Sequence, residues 1–269
     1  MNTMDLKIGF IGFGSMAQAI CDGLLYKNVI KPENIMASGR DQTKLAGNCA
    51  KRGINKAPST ADLAKFSDIV VVCVLPQQVR DVVLEVKEEL KGKLIFSIAA
   101  GIDYAAYISY LGEGYNHIST IPNTPIAIGE GIIIAEETNS LTDEQKAMFE
   151  AVFGQVAHIE YFKSELLSLG GTGAGCAPAF VDVFIEALAD GLVKNGMSRA
   201  QAYRIVPKMI AGTAKFFAQG DKHPGELKDG VCSPGGTTIV GIAALEENGF
   251  RYSIMQAVDK IMIKKTEQH

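Results

Sequence analysis

The 269-residue chain lacks several features that define particular protein classes. It has no excess of positive charge, since 26 basic and 30 acidic side chains leave a net charge of -4, whereas a general nucleic-acid binder needs a basic surface. No apolar run reaches the roughly 18 residues of a membrane span, and the start of the chain has neither the basic nor the apolar region of a signal peptide. We therefore expect a cytoplasmic protein that binds neither nucleic acid nor membrane.

Ligands for a metal ion are also sparse. The five cysteines are odd in number, widely spaced and never form a Cys-x-x-Cys pair, which argues against both a disulfide framework and a zinc site. The four histidines lie far apart along the chain. The sequence therefore predicts no metal centre.

Short apolar runs alternate with helical patterns over residues 1–163. The run at 6–11 meets a glycine turn and then a helix, and the run at 68–75 is apolar almost throughout, as in a parallel strand that is buried on both faces. A helix is predicted from Pro76 to about residue 90, with further strands at 94–98, 117–121 and 131–135. This alternation predicts an α/β fold with a doubly wound sheet of the Rossmann type.

Residues 164–269 show helical patterns alone. Apolar residues from Val181 to Leu192 are spaced as in one amphipathic helix, and Ser198-Arg199-Ala200-Gln201 is a capping box for the next. Pro207 is expected to kink or interrupt that second helix. The sequence thus predicts two domains, a Rossmann domain over residues 1–163 and an all-α domain over residues 164–269.

The 28 glycines concentrate at 9–23, 170–175 and 225–241, where the backbone is expected to approach something closely. In the first cluster, Gly12-Phe13-Gly14-Ser15-Met16-Ala17 follows a predicted strand and opens a helix. This G-x-G-x-x-A pattern is typical of a dinucleotide-binding turn, because Gly12 allows the tight turn, Gly14 admits a pyrophosphate, and the helix start offers free N–H donors. The alternative is a turn with a structural role only.

A second short strand is predicted at 34–37, and the residues at its end indicate which dinucleotide binds. NAD enzymes place an acidic side chain there against the ribose 2′-hydroxyl, but this chain has Ser38-Gly39-Arg40, with Lys44 one turn later. A hydroxyl and a guanidinium suit a 2′-phosphate better than a bare hydroxyl. We therefore favour NADPH, with NADH as an alternative, while Arg40 has a second interpretation as a solvated surface charge.

The third glycine cluster contains Ser233-Pro234-Gly235-Gly236-Thr237-Thr238 directly before another predicted helix. Hydroxyl groups and backbone N–H donors at a helix start suit a small anion such as a carboxylate. An interhelical turn built on the Pro-Gly pair explains the same residues equally well.

Three motifs together resemble the pyrroline-5-carboxylate reductase family: Gly12-x-Gly14-x-x-Ala17, Ile121-Pro122-Asn123-Thr124-Pro125, and Ser233-Pro234-Gly235-Gly236-Thr237-Thr238 followed by Leu245-Glu246-x-x-Gly249-Phe250-Arg251. The resemblance implies NADPH-dependent reduction of the cyclic imine Δ1-pyrroline-5-carboxylate to L-proline, the last step of proline biosynthesis. It also implies a Rossmann domain followed by an all-α dimerisation domain. The chain is then expected to form a homodimer through its C-terminal helices, with a larger ring of dimers as a further option.

The resemblance also implies roles for individual residues. Together with Arg40, the expected dinucleotide contacts are Ile11, Gly12, Phe13, Gly14, Ser15, Met16, Ser38, Val74, Leu75, Pro76, Ala99 and Ala100. The substrate carboxylate is expected at Ser233, Gly235, Gly236 and Thr237. Thr238 is the expected catalytic residue, since its hydroxyl would hydrogen-bond the ring nitrogen and orient it for reduction.

The chain departs from the family at three places near the expected site. Gly175-Cys176-Ala177-Pro178-Ala179-Phe180 stands where the family usually has Gly-Ser-Gly-Pro-Ala-Tyr. Leu75 stands in place of a lysine, and Gly230 stands where the family often has an asparagine. A catalytically altered relative that binds NADP(H) in a regulatory or assembly role is therefore an alternative. A reductase like the 3-hydroxyacid dehydrogenases is another, although residues 172–181 lack the lysine that those enzymes use.

Overall fold

The computed structural model describes residues 3–267, so the outer ends of the two predicted domains lie outside the described part of the chain. The chain divides into two compact units between Gly175 and Cys176. The boundary predicted after residue 163 coincides with the start of a helix and stays a prediction.

The first unit alternates strands and helices. Its strands within the described residues are β1 (Ile8–Ile11), β2 (Ile35–Ser38), β3 (Asn55–Lys56), β4 (Ile69–Val72), β5 (Leu94–Ser97), β6 (Asn116–Pro122), β7 (Gly131–Glu136) and β8 (Ala157–Phe162). Its α-helices are α1 (Ser15–Tyr26), α2 (Gln42–Arg52), α3 (Thr60–Phe66), α4 (Pro76–Glu85), α5 (Tyr104–Leu111), α6 (Asp143–Phe153) and α7 (Ser164–Gly171). A π-helical turn, Thr172–Cys176, follows α7.

The eight strands form one sheet in the order β3-β2-β1-β4-β5-β6-β7-β8, in which every neighbouring pair is parallel except β6 and β7. The first six strands have the order of a Rossmann fold. Successive residues of β4 pack into opposite cores, with Ile69 and Val71 on one face and Val70 and Val72 on the other. The apolar run at 68–75 is therefore explained by burial on both faces, as predicted.

Two details of the predicted helices differ from the structure. Helix α4 ends at Glu85, about five residues early, and turns follow it. Val86 and Leu90 are nonetheless fully buried, so the apolar spacing that predicted a longer helix reflects packing against the sheet. Pro207 lies inside one continuous helix of the second unit, so an interruption there is wrong, and a kink stays a prediction.

The second unit is entirely helical in its described part. It contains α8 (Ala177–Lys194), α9 (Arg199–Ala218), α10 (Pro224–Gly230), α11 (Thr237–Glu247) and α12 (Phe250–Thr266). Of residues 176–267, only Ala189, Ala202 and Val206 are buried, while Phe216 and Val240 remain 68% and 66% exposed. Three small buried side chains do not make a hydrophobic core, so these helices need a further apolar surface to cover them.

Across residues 3–267, no helix is both long and apolar enough to cross a bilayer.

Candidate functional site

The glycine turn lies at the carboxyl edge of the parallel sheet, directly after β1. Gly12 has a φ of +87°, and a Cβ atom on it would come within 2.7 Å of the Cys73 carbonyl oxygen. Its N–H donates to the carbonyl oxygen of Ser38 at 3.1 Å, and the N–H of Cys73 donates to Ile11 at 2.8 Å, so the turn is tied to the ends of β2 and β4. Glycine alone meets both the conformational and the spatial requirement at this position.

Gly14 meets a different requirement. It is the N-cap of α1 in an extended conformation, and a Cβ atom on it would have no other protein atom within 4 Å. No side chain in the described part of the chain caps α1, which leaves the N–H groups of its first turn available to a ligand. The fold itself therefore tolerates a side chain at position 14, and a glycine is needed there only if a ligand approaches the backbone closely.

A cavity of about 1010 Å³ opens beside the glycine turn. It is lined by all thirteen residues predicted to contact the dinucleotide: Ile11, Gly12, Phe13, Gly14, Ser15, Met16, Ser38, Arg40, Val74, Leu75, Pro76, Ala99 and Ala100. They come together because β1, β2, β4 and β5 are parallel, so the segments that follow these strands meet at one edge of the sheet. Its volume lies at the upper end of the usual range for small-molecule and cofactor pockets.

The cavity also has polar lining residues that the sequence analysis did not select. The uncharged ones are Gln42, Asn48, Ser59, Thr60 and Gln78, and the charged ones are Asp41 and Glu85. Ser59 caps α3, where its hydroxyl oxygen accepts from the N–H of Asp62 at 3.1 Å. Helix caps are recognisable from sequence, but nothing in their pattern tells which of them face a shared cavity, so this part of the lining required the tertiary structure.

The positively charged residues of the cavity lining lie in the corner after β2. Ser38 is buried at the end of the strand, while Arg40 and Lys44 are exposed and line the opening. Asp41 also lines this corner, where its Oδ1 accepts a hydrogen bond from the N–H of Lys44 at 2.9 Å and thereby caps α2. The strand end itself carries the Ser38 hydroxyl and the Arg40 guanidinium where NAD enzymes place an acid, so the corner is better suited to a phosphate.

The segments after β4 and β5 form an apolar part of the wall. Leu75 is 56% exposed and Ala99 and Ala100 lie on the same cavity, where they can cover the flat face of a ring. Burial raises the pKa of the Cys73 thiol, so this residue is neutral and inert at physiological pH. Leu75, Ala99 and Ala100 therefore serve binding through apolar contact.

The Ser-Pro-Gly-Gly loop of the second unit forms a tight turn before α11. The N–H of Gly236 donates to the Ser233 carbonyl oxygen at 3.0 Å, and Gly235 has a φ of +71°. The φ of Gly235 favours a glycine for the turn itself, whereas a Cβ atom on Gly236 would require the Ser233 hydroxyl to move. Gly236 is the N-cap of α11, and no side chain among residues 3–267 caps that helix.

The predicted substrate residues thus share one short exposed segment. Ser233, Thr237 and Thr238 are exposed, and Thr237 and Thr238 are the first two residues of α11. Hydroxyl groups beside uncapped N–H groups can bind a carboxylate without an arginine. The interpretation as an interhelical turn is also satisfied, because the same turn connects α10 to α11.

Asn123 supports the π-helical turn at the end of the first unit. It is buried after β6, where its side-chain oxygen accepts from the N–H of Ile132 at 2.8 Å and its NH₂ group donates to the Ala174 carbonyl oxygen at 3.1 Å. The Ile121-Pro122-Asn123-Thr124-Pro125 motif marked the resemblance without suggesting a role. The structure assigns Asn123 a positioning role at the segment where the chain departs from the family pattern.

The fold and the cavity define a Rossmann-type, dinucleotide-dependent oxidoreductase with a helical second unit. Residues 164–268 match the family described as pyrroline-5-carboxylate reductase dimerisation, and residues 7–101 match the family described as NADP oxidoreductase coenzyme F420-dependent. The chain is 38% identical over 257 residues to the pyrroline-5-carboxylate reductase of Treponema pallidum, covering 94% of this chain and 97% of that one. It is 37% identical over 262 residues to the Escherichia coli enzyme of the same name, covering 97% of each.

A solved structure agrees with these relatives. The pyrroline carboxylate reductase of Plasmodium falciparum, crystallised with NADP bound, has a TM-score of 0.85 and 31% identity and covers 97% of both chains. The chain therefore belongs to the pyrroline-5-carboxylate reductase family. The resemblance drawn from the motifs is confirmed, and so are the predicted fold class, the assignment to the oxidoreductases and the NADP type of cofactor.

Proposed function

We propose that this chain reduces Δ1-pyrroline-5-carboxylate to L-proline with NADPH, the last step of proline biosynthesis. One observation carries the proposal: all thirteen residues selected from sequence as dinucleotide contacts line a single cavity, in a chain that matches pyrroline-5-carboxylate reductases over 94% of its length. NADPH is favoured over NADH because the corner after β2 offers Arg40 and Lys44, and the strand ends at Ser38 and not at an acid.

Each chemical group of NADPH has matching residues in the lining of the cavity. The open space at Gly14 and the uncapped start of α1 suit the pyrophosphate, and Arg40 suits the 2′-phosphate. Leu75 and Ala99 provide apolar surface for the rings. When bound, NADPH supplies the hydride that reduces the C=N bond.

The substrate residues act by binding and orienting the imine. Ser233, Gly235, Gly236 and Thr237 hold the carboxylate through hydroxyl and N–H donors at the start of α11. Thr238 places its hydroxyl beside the ring nitrogen, which becomes an amine as the imine carbon accepts the hydride. Because a hydroxyl has no pKa near 7, Thr238 orients the ring and relays a proton from water to the nitrogen as the hydride adds to carbon. Most of the rate comes from positioning.

The protein is a homodimer through its second unit, as the family name for residues 164–268 indicates. The exposure of apolar side chains such as Phe216 and Val240 supports this, because a partner subunit would cover them. A larger ring of dimers and a cytoplasmic location belong to the proposal as well. Light scattering on the purified protein distinguishes a dimer from a ring.

Purified protein mixed with Δ1-pyrroline-5-carboxylate and NADPH tests the reaction. Absorbance of the reduced cofactor should fall, proline should form in equal amount, and NADH should support a slower rate. Binding of NADP⁺ without turnover with either cofactor would contradict the proposed reaction and favour the catalytically altered relative. Oxidation of 3-hydroxy acids in place of imine reduction would favour the dehydrogenase alternative.

A further inference from the structure

Gln78 contacts the guanidinium group of Arg40. The side-chain amide of Gln78 lies against Nη1 and Nη2 of Arg40. With the amide orientation assigned from hydrogen bonding, its oxygen accepts from Nη1 at 3.0 Å and from Nη2 at 3.2 Å. The opposite orientation would turn the NH₂ group toward the N–H donors of Nη1 and Nη2, so the assigned orientation is the one that satisfies both side chains. Gln78 is half-buried in the first turn of α4, whereas Arg40 is exposed.

This contact crosses the glycine turn. Arg40 follows β2 and Gln78 follows β4, and these two strands flank β1 on opposite sides. Both side chains line the cavity that begins at the turn after β1. The Arg40–Gln78 pair therefore spans the part of the cavity that lies between the ends of β2 and β4.

We propose that Gln78 is a specificity-determining positioning residue, which fixes the Arg40 guanidinium over the cavity so that it is ready to bind the 2′-phosphate of NADP(H). One acceptor oxygen that bridges Nη1 and Nη2 restrains the end of the guanidinium and leaves its remaining N–H donors free for phosphate oxygens. An exposed arginine otherwise loses rotamer freedom when it binds. Gln78 is neutral, so it orients Arg40 without competing with the phosphate for its charge.

The proposal rests on the proposed role of Arg40 at the 2′-phosphate. A double-mutant cycle tests the role of Gln78 separately from the role of Arg40. Calorimetry on the intact protein gives the Kd of NADP⁺ and of NAD⁺ for the wild type, Gln78→Leu, Arg40→Ala and the double variant. Gln77→Leu is the matched control, because Gln77 is the exposed neighbour on the same helix turn and does not line the cavity.

We expect Gln78→Leu to raise the Kd of NADP⁺ by roughly two- to tenfold, the effect of ordering one long side chain on binding, and to leave the Kd of NAD⁺ unchanged. In the Arg40→Ala background the same change should have no further effect. An unchanged or lowered NADP⁺ Kd, equal weakening of both dinucleotides, or an effect that persists without Arg40 would each overturn the role of Gln78. An Arg40→Ala variant with wild-type NADP⁺ affinity would instead overturn the 2′-phosphate assignment, and failure of the reductase assay alone would leave this binding result standing.

Discussion

Gly12 lies directly against the backbone of Cys73, and a Cβ atom on Gly12 would approach the Cys73 carbonyl oxygen to 2.7 Å. The two residues follow β1 and β4, which are adjacent parallel strands. The close approach lets the turn leave β1 and reach α1 at the edge of the sheet. Two glycines of one motif therefore have different roles. Gly12 is required by the backbone conformation of the turn, and Gly14 leaves space for a ligand.

Gly12→Ala should destabilise the protein. An alanine at a φ of +87° costs about 1–3 kcal/mol of unfolding free energy, and the clash with the Cys73 carbonyl adds to this. Urea unfolding followed by circular dichroism measures the loss. Gly47→Ala is the control, because Gly47 lies within α2 where a Cβ atom has open space, and that change should stabilise the helix slightly. Equal stability of the two variants would contradict the argument.

Gly14→Ala should leave stability near the wild-type value and weaken dinucleotide binding. The extended backbone at Gly14 accepts an alanine, and the added methyl group enters open space in the cavity where the pyrophosphate is proposed to lie. We expect the Kd for both NADP⁺ and NAD⁺ to rise at least tenfold, because the pyrophosphate is common to both. Wild-type affinity in calorimetry would place the pyrophosphate elsewhere.

Arg40→Asp should reverse or narrow the cofactor preference. The change removes a charge-assisted hydrogen bond to the 2′-phosphate and adds an acid that suits a ribose 2′-hydroxyl. We expect kcat/KM for NADPH to fall by roughly 10- to 100-fold, while kcat/KM for NADH stays level or rises. Steady-state rates with both cofactors test this. If neither value changes, Arg40 is a solvated surface charge.

Thr238→Ala should lower kcat with little effect on NADPH binding. One neutral hydrogen bond to the ring nitrogen is worth about 0.5–1.5 kcal/mol, which corresponds to a decrease in kcat of roughly 2- to 12-fold. Thr238→Ser keeps the hydroxyl and should retain most of the rate. A wild-type kcat in Thr238→Ala would show that the hydroxyl has no part in the reaction.

His117 should make the protein sensitive to acid. It is buried and stacks on Tyr107 with ring centroids 3.7 Å apart, and burial lowers its pKa to about 3. The Ser119 hydroxyl donates to the Ile102 carbonyl oxygen, so it accepts from Nε2 of His117, while Nδ1 is buried without a hydrogen-bond partner in the described structure. This geometry requires the neutral ring.

The unfolded chain binds the proton near the ordinary pKa of 6.5, and the folded chain does so only near 3. The stabilisation from neutral His117 is therefore fully present above pH 6.5. The free energy of unfolding decreases by about 1.4 kcal/mol per pH unit as the pH falls from 6.5 toward 3. His117→Phe keeps a stacked ring and should flatten the dependence in urea unfolding between pH 7 and pH 4.5. His158→Gln, at an exposed position, should not. Identical slopes in all three proteins would contradict the assignment.

The alternation of apolar runs over 1–163 predicted the Rossmann sheet because β1, β4 and β5 are buried on both faces and admit few polar residues. The alternation missed β8 and the short edge strand β3, where all residues except the buried Ala157 are exposed or half-buried and carry no strong pattern. The apolar spacing also predicted that α4 continues past Glu85, because Val86 and Leu90 are buried and spaced as in a helix. In the structure both residues lie in turns. Packing against the sheet, which is not local, decided where that helix ends.

The sequence by itself determined the dinucleotide turn and the loop before α11, because Gly12 and Gly235 have positive φ values that local backbone geometry reserves for glycine. Only the tertiary structure decided which side chains share the cavity. Gln78 meets Arg40, and Asn123 meets the carbonyl oxygen of Ala174, across 38 and 51 residues of sequence. Such contacts depend on the order of strands in the sheet, a long-range property that no local pattern encodes.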